Sequence, residues 1–100
     1  MKLTVTDTAT AWFENEYPLD KGESIRFFGK AYGKTEVHDG FSVGMKLSNP
    51  EKHDVIAKHE ENDRTYFAAE DDEWFFNGYD LEVDFDLESE APIYHFHSNQ

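Results

Sequence analysis

No cysteine occurs among the 100 residues. That absence excludes disulfides, thiolate metal sites and cysteine nucleophiles together. No apolar run approaches the roughly 18 residues of a membrane helix. The opening residues Met1-Lys2-Leu3-Thr4-Val5-Thr6-Asp7 form no apolar signal core, and no Asn-x-Ser/Thr acceptor is present. The expected location is cytoplasmic. Positive charge is also scarce. Nine Lys and Arg face 22 Asp and Glu, for a net charge of -13 and a pI near 4.5. A surface this negative repels phosphate backbones and anionic lipid heads, which excludes a general nucleic-acid or membrane-surface role.

Beyond residue 64 positive charge disappears. Residues 65–100 hold 10 Asp and Glu and no Lys or Arg. The same segment carries Phe67, Trp74, Phe75, Phe76, Tyr79, Phe85, Tyr94 and Phe96. Disordered acidic tails are poor in aromatics, so this segment is expected to fold with one strongly negative side. The chain is 38% hydrophobic and 16% aromatic. At this length it builds one core and one domain, residues 1–100.

Period-2 patterning dominates. Leu3 and Val5 alternate with threonines as a short strand. Thr6 or Asp7 then caps a helix, because either side chain can accept its free N–H groups. Ala9, Trp12, Phe13 and Tyr17 give that helix an apolar face. Pro18 ends it, and Asp20-Lys21-Gly22 reads as a turn. A strand from about Glu23 to Tyr32 points Ile25, Phe27, Gly29 and Ala31 one way. Residues 33–40 read as a polar connection, and Phe41, Val43, Met45 and Leu47 then alternate along another strand, closed by Asn49-Pro50. In the segment 54–59 the charged flanks would suit a helix, but β-branched Val55 and Ile56 favour a strand, turning at Glu61-Asn62-Asp63 into a strand over 64–69. Glu70-Asp71-Asp72-Glu73 opens a short helical turn whose carboxylates favour the positive end of the helix dipole, and Asn77-Gly78 ends it. Tyr79, Leu81, Val83, Phe85 and Leu87 form one face of the clearest strand, with Asp80, Glu82, Asp84, Asp86 and Glu88 on the other. Pro92 interrupts, and Ile93 to His97 form a last strand.

Several residues could carry chemistry. Neighbouring carboxylates on the Asp80–Glu88 face could share a hydrated divalent ion, but a flat strand wraps an ion poorly, and a solvated outer face is the simpler role. Gly40-Phe41-Ser42-Val43-Gly44 matches the G-x-S-x-G nucleophile elbow, which needs a sharp strand-to-helix turn. Here the apolar alternation runs straight through Ser42, so the small residues instead mark close packing. His95-Phe96-His97 places two imidazoles on one side of a strand, a geometry suited to a shared metal once a third ligand, His38 or a carboxylate, joins them. Trp74-Phe75-Phe76, with Trp12 and Phe13, could line a pocket, but such residues are more often core. Arg26, Lys30 and Lys34 form a modest basic row, paired with the acidic surface at little gain in stability.

Leu3-Thr4-Val5-Thr6-Asp7-Thr8-Ala9 leading into a helix, then Ser24-Ile25-Arg26-Phe27 running to Gly33, resembles the HesB-like family of A-type iron–sulfur carriers. The later order of glycine-punctuated strand, hairpin, short helical turn and terminal strand is similar too. The resemblance implies an α+β, mostly β fold: a compact two-sheet β-sandwich or barrel, partly mixed, with an N-terminal helix and a short second helix. It also implies three cysteine ligands, one after a glycine following the early strand and two as C-G-C near the C-terminus. Here Gly33 is followed by Lys34, and His95-Phe96-His97 stands at the terminal pair. An ammonium donates rather than coordinates, and thiolate cluster carriage is chemically closed to this chain. It resembles a cysteine-free branch of the family. The expected function is a non-enzymatic binding or interaction module with a protein partner and no cofactor. The second expectation is a protein that holds iron or zinc with His95 and His97.

Overall fold

In the computed structural model the period-2 runs and the one helical run form seven strands and two helices among the described residues, which are 1–20 and 22–100. In chain order these are β1 (Leu3–Val5), α1 (Asp7–Glu16), β2 (Ser24–Lys34), β3 (Asp39–Ser48), β4 (Val55–Glu61), β5 (Arg64–Ala69), α2 (Glu73–Phe76), β6 (Tyr79–Asp86) and β7 (Ala91–Ser98). One sheet has the order β1-β6-β7 and the other β3-β2-β5-β4. Parallel pairing of β1 with β6 and of β2 with β5 makes both sheets mixed. This is the expected α+β, mostly β, two-sheet arrangement with an N-terminal and a short second helix. No helix among the described residues is long and apolar enough to cross a membrane.

The helix boundaries follow their local chemistry. Thr6 is the N-cap of α1, its hydroxyl oxygen accepting the Ala9 N–H at 3.2 Å. The same hydroxyl donates to Asp84 at 2.8 Å, tying the helix start to β6. After Pro18 the backbone turns, and Glu23 N–H reaches Asp20 O at 3.0 Å. Lys21 of the expected turn lies outside the described residues. Asn62 and Asp63 both adopt left-handed backbone, φ 53° and 62°, and close the tight β4–β5 hairpin.

The core fills the space between the sheets. Leu81 and Val83 of β6 face Ile25 and Phe27 of β2 and Tyr66 of β5. Helix α1 bridges both sheets: Trp12 lies 5.4 Å from Phe85, and Phe13 lies 5.9 Å from Phe27 and 5.6 Å from Tyr66, centroid to centroid. Two glycines mark close approach. A Cβ on Gly29 would stand 2.5 Å from Phe75 Cγ, and one on Gly44 would stand 2.5 Å from the Phe28 ring.

Several elements depart from the sequence reading. The polar connection expected over 33–40 shrinks to residues 35–38, because β2 runs on to Lys34 and β3 begins at Asp39. A bulge between Ala31 and Lys34 absorbs the extra residues, with Tyr32 and Gly33 both left-handed at φ 85° and 84°. Phe41 and Leu47, expected inward, are exposed because β3 is an edge strand that outruns the core. The clearest strand stops at Asp86, so Leu87 is 75% exposed in the following turn rather than inward, and Glu88 leaves the acidic face. Pro92 lies inside β7 instead of before it. An edge strand tolerates the missing N–H.

Two corrections concern side chains. Trp74 is 57% exposed while Phe75 and Phe76 are buried, so only part of the aromatic run is core. Asp72 stands at the N-cap of α2, but its side chain makes no capping bond there. It is buried against Arg26, with Oδ2 accepting from Nη2 at 2.8 Å and Oδ1 from Gly29 N–H at 3.3 Å. Of the basic row, Arg26 therefore forms a buried pair, not a surface one. Lys30 and Lys34 make no ion pair among the described residues.

Candidate functional site

The region where the resembled family gathers its ligands lies between the β2–β3 connection and β7. Residues 35–38 are built on Thr35. Its hydroxyl oxygen accepts Val37 N–H at 3.1 Å and His38 N–H at 2.9 Å, and it shares a 2.8 Å hydrogen bond with His38 Nδ1. This tight loop aims Glu36 across the gap to β7. Glu36 Oε1 accepts Phe96 N–H at 2.8 Å, and Oε2 accepts His95 Nδ1–H at 3.0 Å. A carboxylate thus occupies an edge amide of β7, which would otherwise be free to pair with another strand. Beside this latch is an open groove of about 620 Å³ lined by Lys34, Ser42, Val43, Ile93 and Tyr94. Burial, with a smaller contribution from Tyr17, pushes Tyr94 up to about 12, so its hydroxyl stays protonated at any physiological pH.

His95 and His97 share one face of β7, their ring centroids 6.5 Å apart. Each already holds a carboxylate: His95 the Glu36 one, and His97 Nε2 donates to Glu82 at 3.0 Å. His38 does not join them. Its ring stacks on Phe75 at 4.2 Å and meets Phe96 edge-on at 5.3 Å. Phe96 alternates with His95 and His97, so His38 lies on the opposite side of β7. His53 and His59 bond elsewhere, to Ser48 and Glu61. Among the described residues no group of three or more His, Cys, Asp or Glu is placed to hold a metal ion. The donors at this end are an ammonium, imidazoles and a carboxylate with both oxygens engaged. They do not fit an iron–sulfur cluster, whose irons are bound chiefly by thiolates.

The acidic face of β6 has structural work of its own. Asp80 accepts Lys2 N–H and the Asn99 amide, Asp84 accepts the Thr6 hydroxyl and Phe85 N–H, and Asp86 accepts Glu88 N–H and the Ser89 hydroxyl. Ser42, the candidate nucleophile, donates to Tyr32 O at 2.9 Å from mid-strand. No elbow forms there. Glu36, the residue that organises the β7 junction, carried no sequence signal. It is one carboxylate in a polar loop, and its partners lie about 60 positions away.

Phe96 N–H, then the His95 ring, hold Glu36 below the ordinary carboxylate value of 4.5. Glu61, Asp80, Asp84 and Asp86 are lowered in the same way, chiefly by the side chains that bond them. A carboxylate with a lowered folded value stabilises the fold above its unfolded value and loses that contribution as pH falls through the folded one. Between pH 7 and the pI, relief of the net negative charge acts in the opposite sense. Stability is therefore expected to fall steeply only below about pH 4.5. Glu36→Gln should be less stable than the parent at pH 6, by a gap that narrows as pH falls below 4.5 in urea unfolding. A gap that stays constant across that range would exclude the latch as its source.

No family model matches the chain. A pyruvate dehydrogenase inhibitor of Bacillus subtilis is 31% identical over 96 residues, which is 96% of this chain and 99% of that protein. An uncharacterised protein of Staphylococcus aureus is 30% identical over 77 residues, 76% of this chain and 79% of that one. Among solved structures, Escherichia coli SufA, described as involved in biosynthesis of iron–sulfur clusters, superposes with a TM-score of 0.64. The match covers 98% of this chain and 86% of SufA at 23% sequence identity, a likeness of fold. The two-sheet arrangement is thus that of the A-type carrier fold of SufA, in a chain without cysteine.

Proposed function

The chain belongs to the family of the Bacillus subtilis pyruvate dehydrogenase inhibitor, and from that membership we propose that it is a non-enzymatic binding protein that slows a pyruvate dehydrogenase by direct contact. The observation that carries this reading is the end-to-end match, which spans 99% of the relative and leaves no unmatched domain in it to perform the inhibition. The donor chemistry supports it from the other side. A carrier fold without thiolates cannot hand on a cluster, so what the fold has left to offer is its surface. The latch contributes rigidity, since Glu36 locks the connecting loop to β7 and a pre-organised surface loses less entropy on binding.

The test is pyruvate-dependent NADH formation by purified Bacillus subtilis pyruvate dehydrogenase complex, titrated with the untagged protein. A saturable fall in rate that parallels formation of a complex by gel filtration is expected. An unchanged rate at large molar excess would overturn the reading. Metal analysis of the same preparation addresses the second expectation, favoured by the shared face of His95 and His97. Stoichiometric iron or zinc that disappears in His95→Ala/His97→Ala would favour a metal protein instead.

A further inference from the structure

Resting on the reading that this chain acts by touching a pyruvate dehydrogenase, we propose that the contact centres on the exposed Trp74–Phe41 pair and takes a cationic segment of that enzyme bearing an apolar anchor. Trp74 is 57% exposed on α2 and Phe41 is 37% exposed on β3, their rings T-shaped at 5.2 Å. Large exposed aromatics that contact each other are unusual on a monomer and are the residue type that dominates binding energy.

The platform beneath them is fixed. Phe75 and Phe76, next to Trp74, are buried, and Phe75 carries the stacked His38 ring. The turn leading into α2 is pinned by Asp72 to Arg26 and to Gly29 N–H. A tryptophan presented from such a base loses little freedom on docking. Strain collects at the same end of the molecule. Tyr32, left-handed at φ 85° and 85% exposed, follows Ala31, the cross-strand partner of Phe41. A bulky residue rarely adopts that backbone, and such strain clusters at functional sites.

Charge selects the occupant. Glu70, Asp71 and Glu73 are exposed on the turn that leads into Trp74, and no Lys or Arg occurs after residue 64. A lysine or arginine can lie over the indole face while these carboxylates pair with it. An acidic partner would face an excess of carboxylates there, which Lys52 beside Glu70 and Asp71 offsets only in part.

The test uses the same inhibition titration with three variants, each checked for an unchanged melting temperature. Trp74→Ala should raise the half-inhibitory concentration by about tenfold or more. Glu70→Gln/Asp71→Asn/Glu73→Gln should weaken inhibition and flatten its dependence on salt. Leu87→Ala, at a still more exposed apolar residue in the β6–β7 turn, should behave as the parent. Parent protein that inhibits while both the Trp74 and the triple variant inhibit equally well overturns this docking site alone. Parent protein that neither binds nor inhibits overturns the proposed function, and the docking site with it.

Discussion

Asp72→Ala is expected to cost about 3–5 kcal/mol, the effect of leaving a buried guanidinium without its counter-charge. Arg26 and Asp72 side chains are 8% and 9% exposed and meet at 2.8 Å. Arg26 Nε is already buried without a partner, so the pair has no spare hydrogen bonding to fall back on. The substitution also orphans Gly29 N–H, which lies on β2 beyond the two-residue ladder with β5. Small domains have only about 5–15 kcal/mol in total, so the melting temperature should drop by about 15–30 °C. Arg26→Met/Asp72→Leu removes both charges together and should recover much of the loss, since an apolar pair needs no counter-charge. Thermal unfolding by circular dichroism measures both. A loss under about 1 kcal/mol for the single variant would mean that water reaches Arg26.

Phe13→Ala should be comparably severe, about 3–5 kcal/mol, for a different reason. Phe13 is fully buried, with Trp12, Tyr17, Phe27 and Tyr66 ring centroids 5.0–6.2 Å away. Four aromatic rings cannot collapse into the space one ring vacates, because their own packing holds them in place. The Phe13 carbonyl also accepts from Arg64 Nη2 at 3.3 Å, alongside the Tyr17 carbonyl at 2.7 Å. That clamp on the end of α1 survives the substitution, so the loss reports packing alone. Trp74→Ala, a larger deletion on the surface, should change stability by no more than about 0.5 kcal/mol. The contrast between the two in urea unfolding separates core from contact surface. Equal losses would place Trp74 in the core.

Local signals carried most of the secondary structure. Thr6, Pro18, Asn49-Pro50 and Asn77-Gly78 act on backbone within a few residues of themselves, and each ends or starts an element where the sequence places it. Alternation located the strands because each has one face on the core. It failed where that condition fails: at Leu87, beyond the end of β6, and at Phe41 and Leu47, on an edge strand longer than the layer beneath it. Pro92 misled for the same reason, since only sheet order reveals that β7 has a free edge.

What the sequence determined alone is the chemistry the protein lacks and the class of its fold. A chain without cysteine has no thiolate to offer an iron, whatever its shape, and period-2 runs of this length have few ways to bury one face. What only the tertiary structure decided is the use of each charged and aromatic side chain. Of 22 carboxylates, one is buried against an arginine 46 positions away, one latches a loop to a strand 60 positions away, and one ties β6 to the start of α1 across 78. Three neighbouring aromatics divide into two that are buried and one that faces outward. No local pattern distinguishes these fates, because each is set by partners that arrive only when the two sheets close over a common core.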